Sequence, residues 1–166
     1  LQDLQSIDCF VEDFSAKYDR CDVLMNNAGV MGPDFSLSVE GIESQMAINH
    51  LGHFLLTSLL WENLEQGESP RVISLSSTVH RRGKLETANV SEITGSDKAS
   101  YDRWQRYADT KLASLITTEN KSIPIIETDE KDSILQYINL DTAKANKGYL
   151  SRNLESFKSQ NDPIVW

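Results

Sequence analysis

Cysteine is scarce. Only Cys9 and Cys21 occur in 166 residues. That argues against a disulfide framework, and neither has the spacing of a metal ligand. Both read as core or helix-face thiols in a reducing compartment. Proline and glycine are also few, four and eight, which excludes collagenous and Pro/Gly-rich disordered chains. Positive charge is in deficit: 16 basic against 25 acidic side chains, a formal net charge of -9. Bulk charge of that sign speaks against nucleic acid and anionic membrane surfaces as partners. No apolar run approaches the roughly 18 residues of a membrane span; "FLLTSLLW" is the longest. The balance of 39 % apolar and 25 % charged residues is that of one globular domain of ordinary size, with the cytoplasm the expected location. The first residue is Leu1 rather than Met, which leaves a preceding segment open.

What is present has a clear rhythm. Leu4, Ile7, Phe10, Val11, Phe14 and Tyr18 recur at helical spacing. "DVLMNNAG" reads as a buried strand running into a loop at Gly29. The apolar spacing of Met46, Leu51, Phe54, Leu55, Leu59 and Leu60 predicts a long helix over 39–64, with Ser38 as its N-cap. "RVISLSS" is a second strand. Residues 78–100 form a long polar loop, of a length that usually has a function, and a helix follows over 101–118. Strand, long helix, strand, long loop, helix is the order of a doubly wound α/β parallel sheet. In such sheets ligands bind beyond the C-terminal strand ends, where "NNAG" and "SST" fall. Residues 119–166 differ in character. "IPII" reads as a short strand, confined by Pro124 to an edge or a strand start. "SILQYINL" and "GYLSRNLESF" read as helices. Tyr137, two before Asn139, has a spacing that phosphotyrosine-binding modules read, though such short motifs are mostly accidental.

"YADTK" places Tyr107 and Lys111 on one helical face, one turn apart. A phenol with its ordinary pKa of about 10 is a poor base at neutral pH. A neighbouring ammonium favours the phenolate, so the pair suits acid/base work on an alcohol or carbonyl. Tyr and Lys at this spacing also occur by chance on many helices. His50, His53 and His80 lack metal spacing and read as packing or polar residues; no metal is expected.

Four stretches decide between these readings: "DVLMNNAGVMG", "MAINHLGHFLLTSLL", "RVISLSSTVH" and "YADTKLASL", in this order. Together they resemble the short-chain dehydrogenase/reductase family, and "NHLGHFLLT" resembles its retinol-dehydrogenase-like branch. The resemblance covers residues 1–118. It implies a partial Rossmann-like domain over 1–118 and a divergent tail over 119–166. The implied activity is NAD(P)-dependent hydride exchange with an apolar alcohol or carbonyl substrate, with NAD or NADP as cofactor. The implied catalytic set is Asn49, Ser77, Tyr107 and Lys111. Tyr107 would exchange the proton, and Lys111 would support it and hold the nicotinamide ribose. Ser77 would hydrogen-bond the substrate oxygen, and Asn49 would position a relay water. Asn27, Ala28 and Gly29 match the turn along the adenosine side of the cofactor, which also ties neighbouring strands. Family helices containing the counterparts of Asn49 and Tyr107 pair between subunits, which implies a homo-oligomer. Each residue also has a plainer role: Ser77 as a strand-end cap, Asn49 bonded to neighbouring backbone, Asn26 and Asn27 as turn formers.

Two departures favour the alternative, an inactive fragment or interaction remnant. The family's T-G-x-x-x-G-x-G turn, whose amides approach a pyrophosphate, is absent, and Leu1 falls within what looks like the helix after the third family strand. After Thr118 no Pro-Gly turn follows. Loss of the first strands would expose an apolar sheet edge.

Overall fold

A computed structural model describes residues 1–85, 94, 95, 97–118, 125–127 and 133–139, with backbone only for 118 and the last two stretches. Its α/β architecture is a partial Rossmann-like fold. α1 (Leu4–Ser15) starts where Asp3 accepts the Ser6 amide at 3.2 Å. Leu4, Ile7 and Val11 are its buried stripe. They pack with Leu55, Leu60, Trp61, Leu64 and Val72 into the main core. β1 (Val23–Asn26) pairs in parallel with β2 (Arg71–Ser77), Val23 opposite Arg71 and Asn26 opposite Ser74. The helices between these strands form the crossover.

That crossover starts later than its apolar pattern predicts. Ser38 closes a turn instead of capping a helix: its hydroxyl accepts from the amides of Glu40 and Ile42, both at 3.2 Å. Gly41 takes φ +77°, a conformation that stops helix propagation. The helix begins at α2 (Ser44–Met46), continues as a π-helical turn (Ala47–Leu51) and then as α3 (Gly52–Leu59). Leu60 leaves helical geometry with ψ 4°, and α4 (Trp61–Glu65) follows. The true N-cap is Glu43, whose carboxylate accepts the amides of Gln45 and Met46 at 2.9 and 3.0 Å.

β1 is only half covered. Leu24 and Asn26 face the core side, but Val23 and Met25 are exposed, against the expectation of a fully buried strand. Of the loop expected over 78–100, Thr78–Arg82 form a 3₁₀ turn instead and residues 86–93 and 96 lie outside the described residues; α5 (Arg103–Thr118) packs back across β2. β3 (Ile125–Glu127) and β4 (Ser133–Asn139) complete the sheet in the order β1-β2-β4-β3. β3 is at the edge, where Pro124 just before it in sequence restricts a strand to lie. β4 corrects the helix expected at "SILQYINL". It pairs antiparallel with all of β2, Arg71 opposite Asn139 through Ser77 opposite Ser133. Its apolar residues fit either period over so short a run; an open β2 edge decides for strand. The helix expected at "GYLSRNLESF" lies outside the described residues.

Candidate active site

The C-terminal ends of β1 and β2, the π-helical turn and α5 meet at one place. β2 grips α5 at Lys111 twice: Ser76 Oγ donates to the Lys111 carbonyl at 2.8 Å, and Lys111 Nζ donates to the Leu75 carbonyl at 3.0 Å. Only 5 % of Lys111 is exposed, and burial lowers its pKa to about 8. Its ammonium stands 5.6 Å from the centroid of the Tyr107 ring, one turn back on the same helix. Tyr107 is half-buried, while the four residues Ala108, Asp109, Thr110 and Lys111 are all buried. "YADTK" is therefore an inward-facing turn of α5.

Ser77 ends β2 and is buried. Its hydroxyl accepts from the Val79 amide at 3.4 Å, the strand-end cap of the plainer reading. Its carbonyl accepts from His80 Nδ1 at 2.7 Å.

Asn49 lies inside the π-helical turn, 3 % exposed. Its amide pairs with both backbone groups of Val30: Oδ1 accepts the Val30 amide at 2.8 Å, and Nδ2 donates to the Val30 carbonyl at 2.9 Å. Nδ2 also donates to Thr110 Oγ1 at 3.1 Å. One side chain thus ties the loop after β1 to α5. The Asn49 carbonyl accepts from His53 Nδ1 at 3.1 Å and from Ser114 Oγ at 3.5 Å.

Asn27, Ala28 and Gly29 are exposed at the mouth of this cluster. Gly29 has little room for a side chain: a Cβ there would lie 3.1 Å from Asn49 Oδ1 and 3.9 Å from Lys111 Nζ. The strand tie comes from Asn26. Its Nδ2 donates to Thr57 Oγ1 at 3.0 Å and Ser74 Oγ at 3.4 Å, joining β1, α3 and β2.

Three further groups hold the site and have no linear signature. Glu43, fully buried, lies 3.8 Å from Arg106 Nε. Gln45, also fully buried, accepts the Gly32 amide at 3.0 Å and donates to Tyr101 OH at 2.9 Å and the Arg103 carbonyl at 3.0 Å. Asp109 accepts from the Lys84 amide at 2.7 Å and Gln105 Nε2 at 2.9 Å, holding the chain at Lys84 against α5. Most of these partners lie dozens of residues apart, and only a three-dimensional contact reveals them.

No His, Cys, Asp or Glu cluster fit for a metal occurs among the described residues, nor is any of their helices long and apolar enough to cross a membrane.

The sequence profile of the short chain dehydrogenase family matches residues 1–92. The chain belongs to that family. Among its relatives, human retinol dehydrogenase 12 is 40 % identical over 118 residues, covering 71 % of this chain and 36 % of that protein. The short-chain dehydrogenase TIC 32 A, chloroplastic, of Brassica napus is 33 % identical over 159 residues, covering 93 % of this chain and 47 % of that protein. A match of that extent reaches into the segment after Thr118, where motif comparison alone finds no likeness. A solved structure of an uncharacterized protein from Mycobacterium paratuberculosis superposes with a TM-score of 0.59 at 37 % identity, over 70 % of this chain and 39 % of that one. The chain spans a third to a half of the length of these relatives. Membership in the retinol-dehydrogenase-like branch of the short-chain dehydrogenases agrees with these relatives, and the family as a whole uses NAD(P).

Two histidines beside the site make its stability sensitive to acid. Burial, and secondarily the charge of His53, lower the His50 pKa to about 4; His53 is lowered as well, chiefly by burial. Between pH 6.5 and 4 the unfolded chain binds a proton that folded His50 refuses, so stability is full above pH 6.5 and falls as pH drops through that window. Partial exposure of the residue limits the His50 share to about 1–2 kcal/mol. Urea unfolding at pH 7 and pH 4.5 should show this loss, and His50→Asn should remove part of it. Identical pH slopes for the two proteins would refute the assignment.

Proposed function

We propose that this chain carries the proton-transfer half of an NAD(P)-dependent oxidoreductase site acting on an apolar alcohol or carbonyl. The observation that carries this reading is the buried Lys111 ammonium poised over the Tyr107 ring at the strand ends. A buried charge is costly and is rarely kept without a partner or a task. Its one hydrogen bond among the described residues, to Leu75, leaves donors free for other oxygens.

The donor set fits a dinucleotide's sugar. Lys111 would hold the nicotinamide ribose hydroxyls, and exposed Asn27, Ala28 and Gly29 would let backbone approach the cofactor's adenosine side. Bound nicotinamide supplies or accepts the hydride. Tyr107 gives a proton to the carbonyl oxygen in reduction and takes it back in oxidation. Lys111 favours the phenolate by its charge. Ser77 donates to the same substrate oxygen and polarises it. Asn49 holds the 29–30 backbone against α5; a relay through water at this residue would use what its amide leaves free. A homo-oligomer formed through the helices bearing Asn49 and Tyr107, a cytoplasmic location and a boundary between site-bearing domain and tail near residue 118 belong to the same reading.

The alternative reading is an inactive fragment that keeps the site by descent, without turnover. Titration with NADH and NADPH, followed by nicotinamide fluorescence, separates the two. Saturable binding weakened at least tenfold by Lys111→Ala supports the working site. No binding at millimolar cofactor supports the inherited one.

A further inference from the structure

Trp104, Tyr107 and Lys111 stand at i, i+3 and i+7 on α5, one stripe of the helix. The loop after β1 runs beside that stripe. Its start is at Lys111, where a Cβ on Gly29 would lie 3.9 Å from Nζ. Its other end is at Trp104, where a Cβ on Gly32 would lie 2.9 Å from the indole ring. Tyr107 is between these two contacts. The side of the site facing away from Lys111 is thus bounded by an indole.

That indole is both exposed and held. Trp104 is 60 % exposed and Met31, next to Gly32 in sequence, 64 %. Single exposed apolar residues are ordinary on protein surfaces, but this ring has a built seat. Gly32 adopts φ +60° and has no room for a side chain under the ring. Gln45 pins both parts of the seat, accepting the Gly32 amide and donating to the Arg103 carbonyl. Arg103 adds an ion pair to Asp34 at 2.6 Å across the same gap. A fixed aromatic face beside an acid/base tyrosine orders apolar ligand at little entropic cost.

We propose that Trp104, with Met31, is the apolar wall that receives the hydrocarbon part of the substrate and selects for its length. This rests on the oxidoreductase reading of Tyr107. Trp104 precedes Tyr107 by three positions on the helix, a rise of about 4.5 Å. A carbonyl compound of three carbons is therefore too short to use the wall, and one of ten carbons covers it.

The test has two arms. In the first, 1-decanol is titrated into the chain without cofactor, and tryptophan fluorescence is compared between wild type and Trp104→Phe. A saturable change in wild type that Trp104→Phe lacks is expected; the same change in both would overturn the proposal, as would none. In the second, kcat/KM with NADPH is measured for propanal and decanal. Trp104→Ala is expected to lower the decanal value about 10- to 50-fold and the propanal value less than twofold. Met31→Ser, which leaves the Gly32 seat intact, should shift the same ratio in the same direction by a smaller factor. Equal losses for both aldehydes would refute length selection. Failure of wild type to turn over either aldehyde would count against the oxidoreductase reading, and the fluorescence arm would then decide the wall by itself.

Discussion

Glu43→Ala is expected to lower the unfolding free energy by about 3–5 kcal/mol, the cost of removing one member of a buried ion pair. Glu43 is fully buried. It caps α2 through the Gln45 and Met46 amides and faces Arg106 Nε at 3.8 Å. Alanine removes both the cap and the counter-charge, and the Arg106 guanidinium, 15 % exposed, cannot regain full hydration without moving. The neighbouring Glu43 amide donates to the Thr94 carbonyl at 2.9 Å, so that contact should loosen with it. Domains of this size have unfolding free energies of about 5–15 kcal/mol, so the loss takes a large share of the total. Glu43→Gln keeps an acceptor for the helix amides and should lose roughly half as much. Urea titration monitored by circular dichroism measures both. A loss under 1 kcal/mol for alanine would show that water replaces the carboxylate and that the pair contributes nothing.

The second large effect is chemical. With Tyr107→Phe, turnover of an aldehyde with NADPH should fall about 10²- to 10⁴-fold, the usual contribution of a positioned acid or base. Affinity for nicotinamide should change less than threefold, because Lys111 keeps its bond to the Leu75 carbonyl at 3.0 Å. Lys111→Ala should impair both turnover and binding. The lysine also imposes a pH limit. With its pKa lowered to about 8, the ammonium loses its charge as pH rises through that value unless a bound ligand restores it, and on the proposed mechanism turnover should fall with it. A Tyr107→Phe protein that turns over at more than a tenth of the wild-type rate would remove Tyr107 from the mechanism.

How much of this could be read before folding depends on where each signal is stored. The strands "DVLM" and "RVISLSS" and the helix bearing "YADTK" were legible because their signals are local: a short apolar run, a branched run, a 3.6-residue period. The start of the long helix was misplaced because the apolar period is silent about Ser38 hydroxyl bonds and about the left-handed turn at Gly41. "SILQYINL" predicts a helix because eight residues do not discriminate the two periods. Its partner, the open edge of β2, is some sixty residues earlier in the chain.

Sequence by itself determined the family, the order of β1, crossover and β2, and the identities of Asn49, Ser77, Tyr107 and Lys111 as candidates. These rest on residue type and local spacing, which a linear string carries. Only the tertiary structure decided which groups meet. It put the Asn49 amide on Val30, a tie of two strands and a helix on Asn26, Glu43 against Arg106, and the Trp104 ring on Gly32 one turn from the tyrosine. Each is a contact between residues far apart in the chain. Such contacts arise from packing and hydrogen-bond satisfaction across elements, and neither has a linear signature.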